Sequence, residues 1–162
     1  MLQELALRYV SRYATSRAKL AAYLRRKIAE RGWSSASDPP LAAIVGKMAS
    51  LGYVDDRAFA SARASALTSR GYGPRRVNDA LRAAGIDSDD AEPAHAAARA
   101  LAWESALRLA RRRGIGPFAA AEPDAKGRER WVGMLLRGGH SFELARRIAS
   151  ARPGEIPDEN GA

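Results

Sequence analysis

Two groups of carboxylates and two histidines are the residues of this chain with the types and spacing for metal or proton chemistry. Asp55 with Asp56, and Asp87 with Asp89 and Asp90, resemble the carboxylate sets that bind divalent ions in phosphodiester hydrolysis. Each group, however, falls at the predicted start of a helix. There a carboxylate accepts backbone N–H bonds and faces the positive end of the helix dipole, so capping accounts for both groups. A metal-dependent nuclease is the enzyme class these clusters define, and Asp55→Asn would abolish its cleavage. His95 and His140 have no serine, aspartate or second histidine at triad or zinc spacing, and are read as packing or surface residues. The glycines of Arg112-Arg113-Gly114-Ile115-Gly116-Pro117 lack the preceding strand and the spacing of a phosphate-binding loop. With no cysteine, disulfides, thiolate metal sites and cysteine nucleophiles are excluded, which suits a reducing cytoplasm, the expected compartment. The expectation is a protein without catalytic residues, metal or cofactor.

The basic residues are more informative. Lys and Arg number 27 against 18 Asp and Glu, a formal charge of +9, which favours a polyanionic partner, either nucleic acid or an acidic protein surface. On a helical wheel through residues 17–31, Leu20, Leu24 and Ile28 form the buried stripe, Lys19 and Arg26 point away from it, and Arg25 and Lys27 flank it. Arg75 and Arg82 stand away from Val77, Leu81 and Ala84 in the same manner, and Lys126, Arg130 and Arg137 away from Trp131 and Leu135. Lys19, Arg25, Arg26, Arg75, Arg76, Arg82, Arg130 and Arg137 are therefore the candidate partner or DNA contacts. The competing reading of any one of them is ordinary solvated surface, paired with acids such as Glu30, Asp79 and Glu129. Trp103, Trp131 and Tyr23 fall at helical spacing beside leucines, so core packing explains them before base stacking does.

The elements that must position these residues are helices. Apolar residues recur at three-to-four spacing, as in Leu41, Ile44, Val45, Met48 and Leu51, and strand-like alternation is missing, so the class is all-α. Loops are predicted at residues 34–40 (SSASDPP), 71–74 (GYGP) and 115–117 (IGP). Residues 17–33, 74–86 and 127–140 align: an apolar residue is followed four later by leucine (Leu20 and Leu24, Val77 and Leu81, Trp131 and Leu135), and each helix closes on a glycine, Gly32, Gly85 or Gly139. Each of these middle helices is preceded by an amphipathic one (about 2–14, 55–70 and 99–113) and followed by a shorter one (41–51, 88–98 and 141–151). Three-helix units bury their apolar faces poorly alone, so the expected fold is an elongated, curved array of three tandem repeats, 1–53, 54–98 and 99–151, with a disordered tail over 152–162. At the first junction Asp55 or Asp56 starts a helix while Tyr53 and Phe59 pack across it. No apolar run approaches the about 20 residues needed to span a bilayer, and the N-terminus lacks a signal-peptide pattern, so neither export nor insertion is expected.

Taken in order, Ser16-Arg17 with Leu20 and Leu24 ahead of Arg31-Gly32-Trp33, then Leu51-Gly52-Tyr53-Val54-Asp55-Asp56 with Phe59-Ala60, then Gly71-Tyr72-Gly73-Pro74-Arg75-Arg76 through Leu81 and Gly85-Ile86, and finally Arg137-Gly138-Gly139-His140-Ser141-Phe142 with Ala145 and Ile148, resemble the RecX family over about residues 5–150. RecX proteins are bacterial regulators built of three tandem three-helix repeats. The resemblance implies a monomer that binds RecA, free or as its filament on single-stranded DNA, and restrains strand exchange, ATP hydrolysis and co-protease activity by lodging in the filament groove. The chain departs from the pattern at the 34–40 insertion and at Pro93, which predicts a short or irregular last helix in the second repeat. The alternative function is sequence-independent nucleic-acid binding. A helix-turn-helix reader over 71–85 is disfavoured, because Arg75, Arg76 and Asn78 alone do not define a docking geometry.

Overall fold

The computed structural model describes residues 1–160, and among them every regular element is helical. Nine α-helices follow one another: α1 (Leu2–Val10), α2 (Arg17–Arg31), α3 (Leu41–Ser50), α4 (Asp56–Ser69), α5 (Pro74–Ala83), α6 (Ser88–Ala100), α7 (Ala102–Arg113), α8 (Ala125–Arg137) and α9 (Phe142–Ser150), with a 3₁₀ turn at Gly116–Phe118. The chain forms two compact units, one of Met1–Ala62 with Leu81–Glu92, the other of Arg63–Ala80 with everything from Pro93 onward. The division passes through α4, α5 and α6.

In the first unit the core gathers Leu2 and Ala6 of α1, Leu20 and Leu24 of α2, Ile44, Val45 and Met48 of α3, and Val54. The i, i+4 spacing of each pair is what puts both members on one face. The start of α2 is held from three directions. Ser16 Oγ accepts the Lys19 N–H (3.2 Å) and donates to the Ala84 carbonyl (2.5 Å), while Asp56 Oδ1 accepts the Arg17 N–H (2.8 Å). Two orphan N–H groups of the α2 start and one carbonyl at the end of α5 are thus satisfied around the buried Ser16 and Asp56. The acidic clusters act as caps: Asp55 Oδ1 accepts from Ala58 N and Asp87 Oδ1 from Asp90 N, both at 2.9 Å. Asp56 caps α2 instead of its own helix. At the 52–59 junction the buried apolar residue is Val54, and Tyr53 is exposed.

The second unit packs Trp103, Ala106, Leu109 and Ala110 of α7 with Ile115, Leu135 of α8, and Ala145 and Ile148 of α9. Asp124 caps α8 through Gly127 N (2.7 Å) and Ser141 caps α9 through Leu144 N (3.3 Å). Trp131 is half-buried against this core. Pro93 does not shorten α6, which runs unbroken to Ala100. A proline there deprives the Asp89 carbonyl of its helical donor, but Asp89 is exposed and only one residue into the helix, where solvent can reach the carbonyl. Ala91, Ala94 and Ala98 bury the opposite stripe and hold the helix in place. Residues 152–160 carry no helix or strand, yet Gly154 N donates to Pro117 O (2.8 Å) and the Arg147 guanidinium donates to the carbonyls of Asp158 and Glu159. The disordered tail expected for 152–162 extends past these to residues 161–162, which lie outside the described residues.

Candidate anion-binding interface

The two glycine-rich loops of the second unit, residues 70–74 and 137–141, lie against each other. Gly73 N donates to Gly138 O (2.8 Å) and Arg75 N to Gly139 O (3.1 Å). His140, fully buried, bonds through Nε2 to the Gly71 carbonyl at 2.9 Å. Side chains would prevent this approach: a Cβ on Gly73 would stand 2.5 Å from Gly139 O, and one on Gly139, whose φ is +92°, would stand 2.6 Å from Arg76 N. Burial holds the His140 imidazole below the ordinary histidine pKa of 6.5, and the Gly71 bond opposes that shift only in part.

The loop contact sets the start of α5 beside the end of α8, and with them their arginines. Arg76 Nη1 donates to Arg137 O at 3.2 Å, and its guanidinium lies 4.3 Å from the Tyr72 ring centroid. Arg70 and Arg112 approach the same ring at 5.5 and 5.9 Å. Arg112 Nη1 donates in turn to Arg70 O (2.5 Å), and Arg108 Nη1 to Thr68 O (3.1 Å). Cation–π stacking and carbonyl acceptors therefore order these side chains, and none of them is ion-paired to a carboxylate among the described residues.

A cavity of about 380 Å³ opens beside Tyr72, lined by Arg76, Arg112, Arg113 and Arg137, with Leu109, Met134 and Gly138. No acid lines it. The adjoining recess adds Arg63, Arg70 and Arg75, and there Asp79 is the one carboxylate. Positive charges crowded in this way repel one another unless an anion is bound, and guanidiniums present a planar donor fork suited to phosphate or carboxylate oxygens.

Of the eight candidate contacts, Arg75, Arg76 and Arg137 come together here. Arg130 is exposed on α8 but outside both hollows. Lys19, Arg25, Arg26 and Arg82 belong to the first unit, all exposed. There the Lys19 ammonium lies 5.5 Å from the Phe59 ring, Arg25 edges an apolar hollow with Arg17, and Arg26 lies 3.7 Å from Glu30 and 5.7 Å from the Tyr23 ring. Sequence reasoning passed over Tyr72, Arg70, Arg112 and Arg113. The available signal was a tyrosine between two glycines and an arginine run ending on a third, Gly114.

Comparison with known proteins places this chain in a family. Residues 55–94 match the family description "RecX, second three-helix domain". The chain is 29% identical over 164 residues to the regulatory protein RecX of Myxococcus xanthus, covering 94% of this chain and 86% of that protein. It is 33% identical over 148 residues to regulatory protein RecX of Mycobacterium sp. strain JLS, covering 88% and 79%. Among solved structures, RecX from Lactobacillus salivarius superposes with a TM-score of 0.67 at 21% identity, over 91% of each chain. A second RecX crystal structure gives 0.69 at 20% identity, over 91% of this chain and 72% of that one, so the all-helical repeat fold is shared. No helix of the described residues is long and apolar enough to cross a membrane. On fold, extent of match and sequence identity together, this chain belongs to the RecX family of regulatory proteins.

Proposed function

We propose that this chain is a cytoplasmic monomer that binds RecA, alone and as its filament on single-stranded DNA, and inhibits recombinase, ATPase and co-protease activities. The observation that carries the reading is the family membership, which spans nearly the whole chain. The arginine cavity beside Tyr72 supplies the chemistry, since an ordered, carboxylate-free set of guanidiniums binds an acidic protein surface or a phosphate strand without prior rearrangement. Arg75, Arg76 and Arg137 are the principal contacts of this proposal, and Lys19, Arg25, Arg26, Arg82 and Arg130 the weaker ones. Three tandem three-helix repeats, 1–53, 54–98 and 99–151, are the proposed organisation of the chain. The action is inhibition by binding and requires no catalytic residue, metal or cofactor.

The test is RecA ATP hydrolysis on single-stranded DNA, with this protein titrated from far below to equal the RecA concentration. Inhibition at low ratios is the expected result and favours blocked filament growth or filament destabilisation. An unchanged rate at equal concentration overturns the reading. The same cavity also favours a second reading, sequence-independent nucleic-acid binding. A face of about 6–10 phosphate contacts would lower DNA affinity by about 10³–10⁵-fold between about 50 and 200 mM salt.

A further inference from the structure

The first unit holds a second assembly of rings and cations, in the recess between α1 and α2. Tyr9 and Tyr23 stack at 4.2 Å between centroids with 19° between their planes, and both pack against the unit's core. Tyr13 continues the row, 5.2 Å from Tyr9 and tilted by 46°, but it lies outside the core cluster with 56% of its surface exposed. An amphipathic ring left this open is not explained by burial.

Beside the row is a recess of about 510 Å³ whose rim carries Arg8, Arg12, Arg26 and Lys27. Glu30 takes up two of these, bonding Lys27 Nζ at 2.6 Å and lying 3.7 Å from Arg26 Nε. Arg8 and Arg12 are exposed and make no ion pair among the described residues. Open aromatic faces interleaved with uncommitted cations are the arrangement that holds single-stranded nucleic acid, with bases on the rings and phosphates on the cations. A duplex keeps its bases stacked and offers no face to such a ring.

We infer that the α1–α2 recess is a binding site for single-stranded nucleic acid, an unpaired base stacking on Tyr13 and the adjoining phosphates lying on Arg8 and Arg12. This site rests on the nucleic-acid reading and adds to it an open ring, Tyr13, where the Tyr72 ring is covered by Arg76. Its test contains no RecA, so it can fail while RecA inhibition holds.

The experiment is fluorescence anisotropy of the full chain with a fluorescein-labelled oligothymidylate and with a deoxyribose-phosphate oligomer of equal length that lacks bases. The unsubstituted chain is expected to bind the thymidylate at least about fivefold more tightly than the abasic oligomer. Tyr13→Ala should remove that difference and leave abasic binding unchanged, whereas Tyr13→Phe, which keeps the ring, should preserve it. Arg8→Gln with Arg12→Gln should weaken both oligomers and reduce the salt slope by about 2 phosphate equivalents. Equal affinity of the unsubstituted chain for the two oligomers overturns the inference, as does thymidylate binding untouched by Tyr13→Ala.

Discussion

Each unit surrounds a tyrosine with cations, and the two manage the resulting repulsion differently. In the second unit, Arg76 and Arg112 lie over Tyr72 and donate to the backbone carbonyls of Arg137 and Arg70, and no carboxylate lines the cavity. In the first, Arg26 and Lys27 lie over Tyr23, and both turn to Glu30. A carbonyl orders a guanidinium without cancelling its charge, whereas a carboxylate does both. The carbonyl-pinned arrangement of the second unit keeps an anion site charged and pre-organised, and the carboxylate-paired arrangement of the first spends much of its charge internally.

The largest expected effect comes from reversing charge in the uncompensated assembly. Arg76→Glu with Arg137→Glu should raise the concentration needed for half-inhibition of RecA ATP hydrolysis by about 100-fold, two charge-assisted contacts being lost. Arg26→Glu, in the compensated assembly, should cost only about two- to fivefold, as expected of an exposed ion-paired charge. Equal losses would dissolve the distinction between the units.

His140 tests what holds the second assembly together. His140→Ala leaves the Gly71 carbonyl without its partner and opens a buried void, which should cost about 2–4 kcal/mol in denaturant unfolding. Inhibition should fall with it, because the loops that set Arg76 beside Arg137 lose their anchor. The imidazole also brings a pH dependence. Its folded pKa is depressed by burial, so the unfolded chain takes up the proton first. Stability is then complete above the ordinary histidine value of 6.5 and declines as pH falls below it. His140→Gln, which keeps a donor for Gly71 but does not titrate, should flatten that decline in parallel urea titrations between pH 7 and 5.

Ser16 makes the matching test in the first unit. Ser16→Ala removes an N-cap and strands the Ala84 carbonyl, for an expected loss of about 1–3 kcal/mol, read from chemical denaturation. Its inhibitory potency at a temperature where the chain remains folded should be unchanged, because the Tyr72 cavity is built without it.

These anchors mark how far the sequence could be read. Apolar spacing found the helices, and the closing glycines Gly32, Gly85 and Gly139 all have positive φ, although Gly32 combines it with an extended ψ of 163° and so is not left-handed helical. Local competition moved the ends. α1 stops at Val10 instead of continuing to residue 14, and the Ser11 hydroxyl bonds back to Leu7 O just beyond it. α8 starts at Ala125 because Asp124, not a residue nearer Gly127, is its cap. Capping was legible for Asp55 and Asp87, but the bond from Arg17 N to Asp56 spans 39 residues and has no local signature. The candidate site failed to show for the same reason. Its arginines come from residues 63, 70–76, 112–113 and 137, and the close approach of two glycine-rich loops brings the 70–76 and 137 groups together.

The smallest expected effect isolates compensation from geometry. Glu30→Gln removes the one carboxylate of the tyrosine row and leaves every cation in place. Lys27 donates to the Glu30 carboxylate and holds its pKa below the usual 4.5, so the acid is ionised at neutral pH and its loss raises the local charge by one. Affinity for a single-stranded oligonucleotide should then rise by roughly two- to fivefold at low salt. The gain should fade near 0.15 M, where the screening length is about 8 Å. If Glu30→Gln leaves low-salt affinity unchanged, carboxylate pairing is not what separates the two assemblies. The pinning of Arg76 and Arg112 by backbone carbonyls would then carry the whole difference.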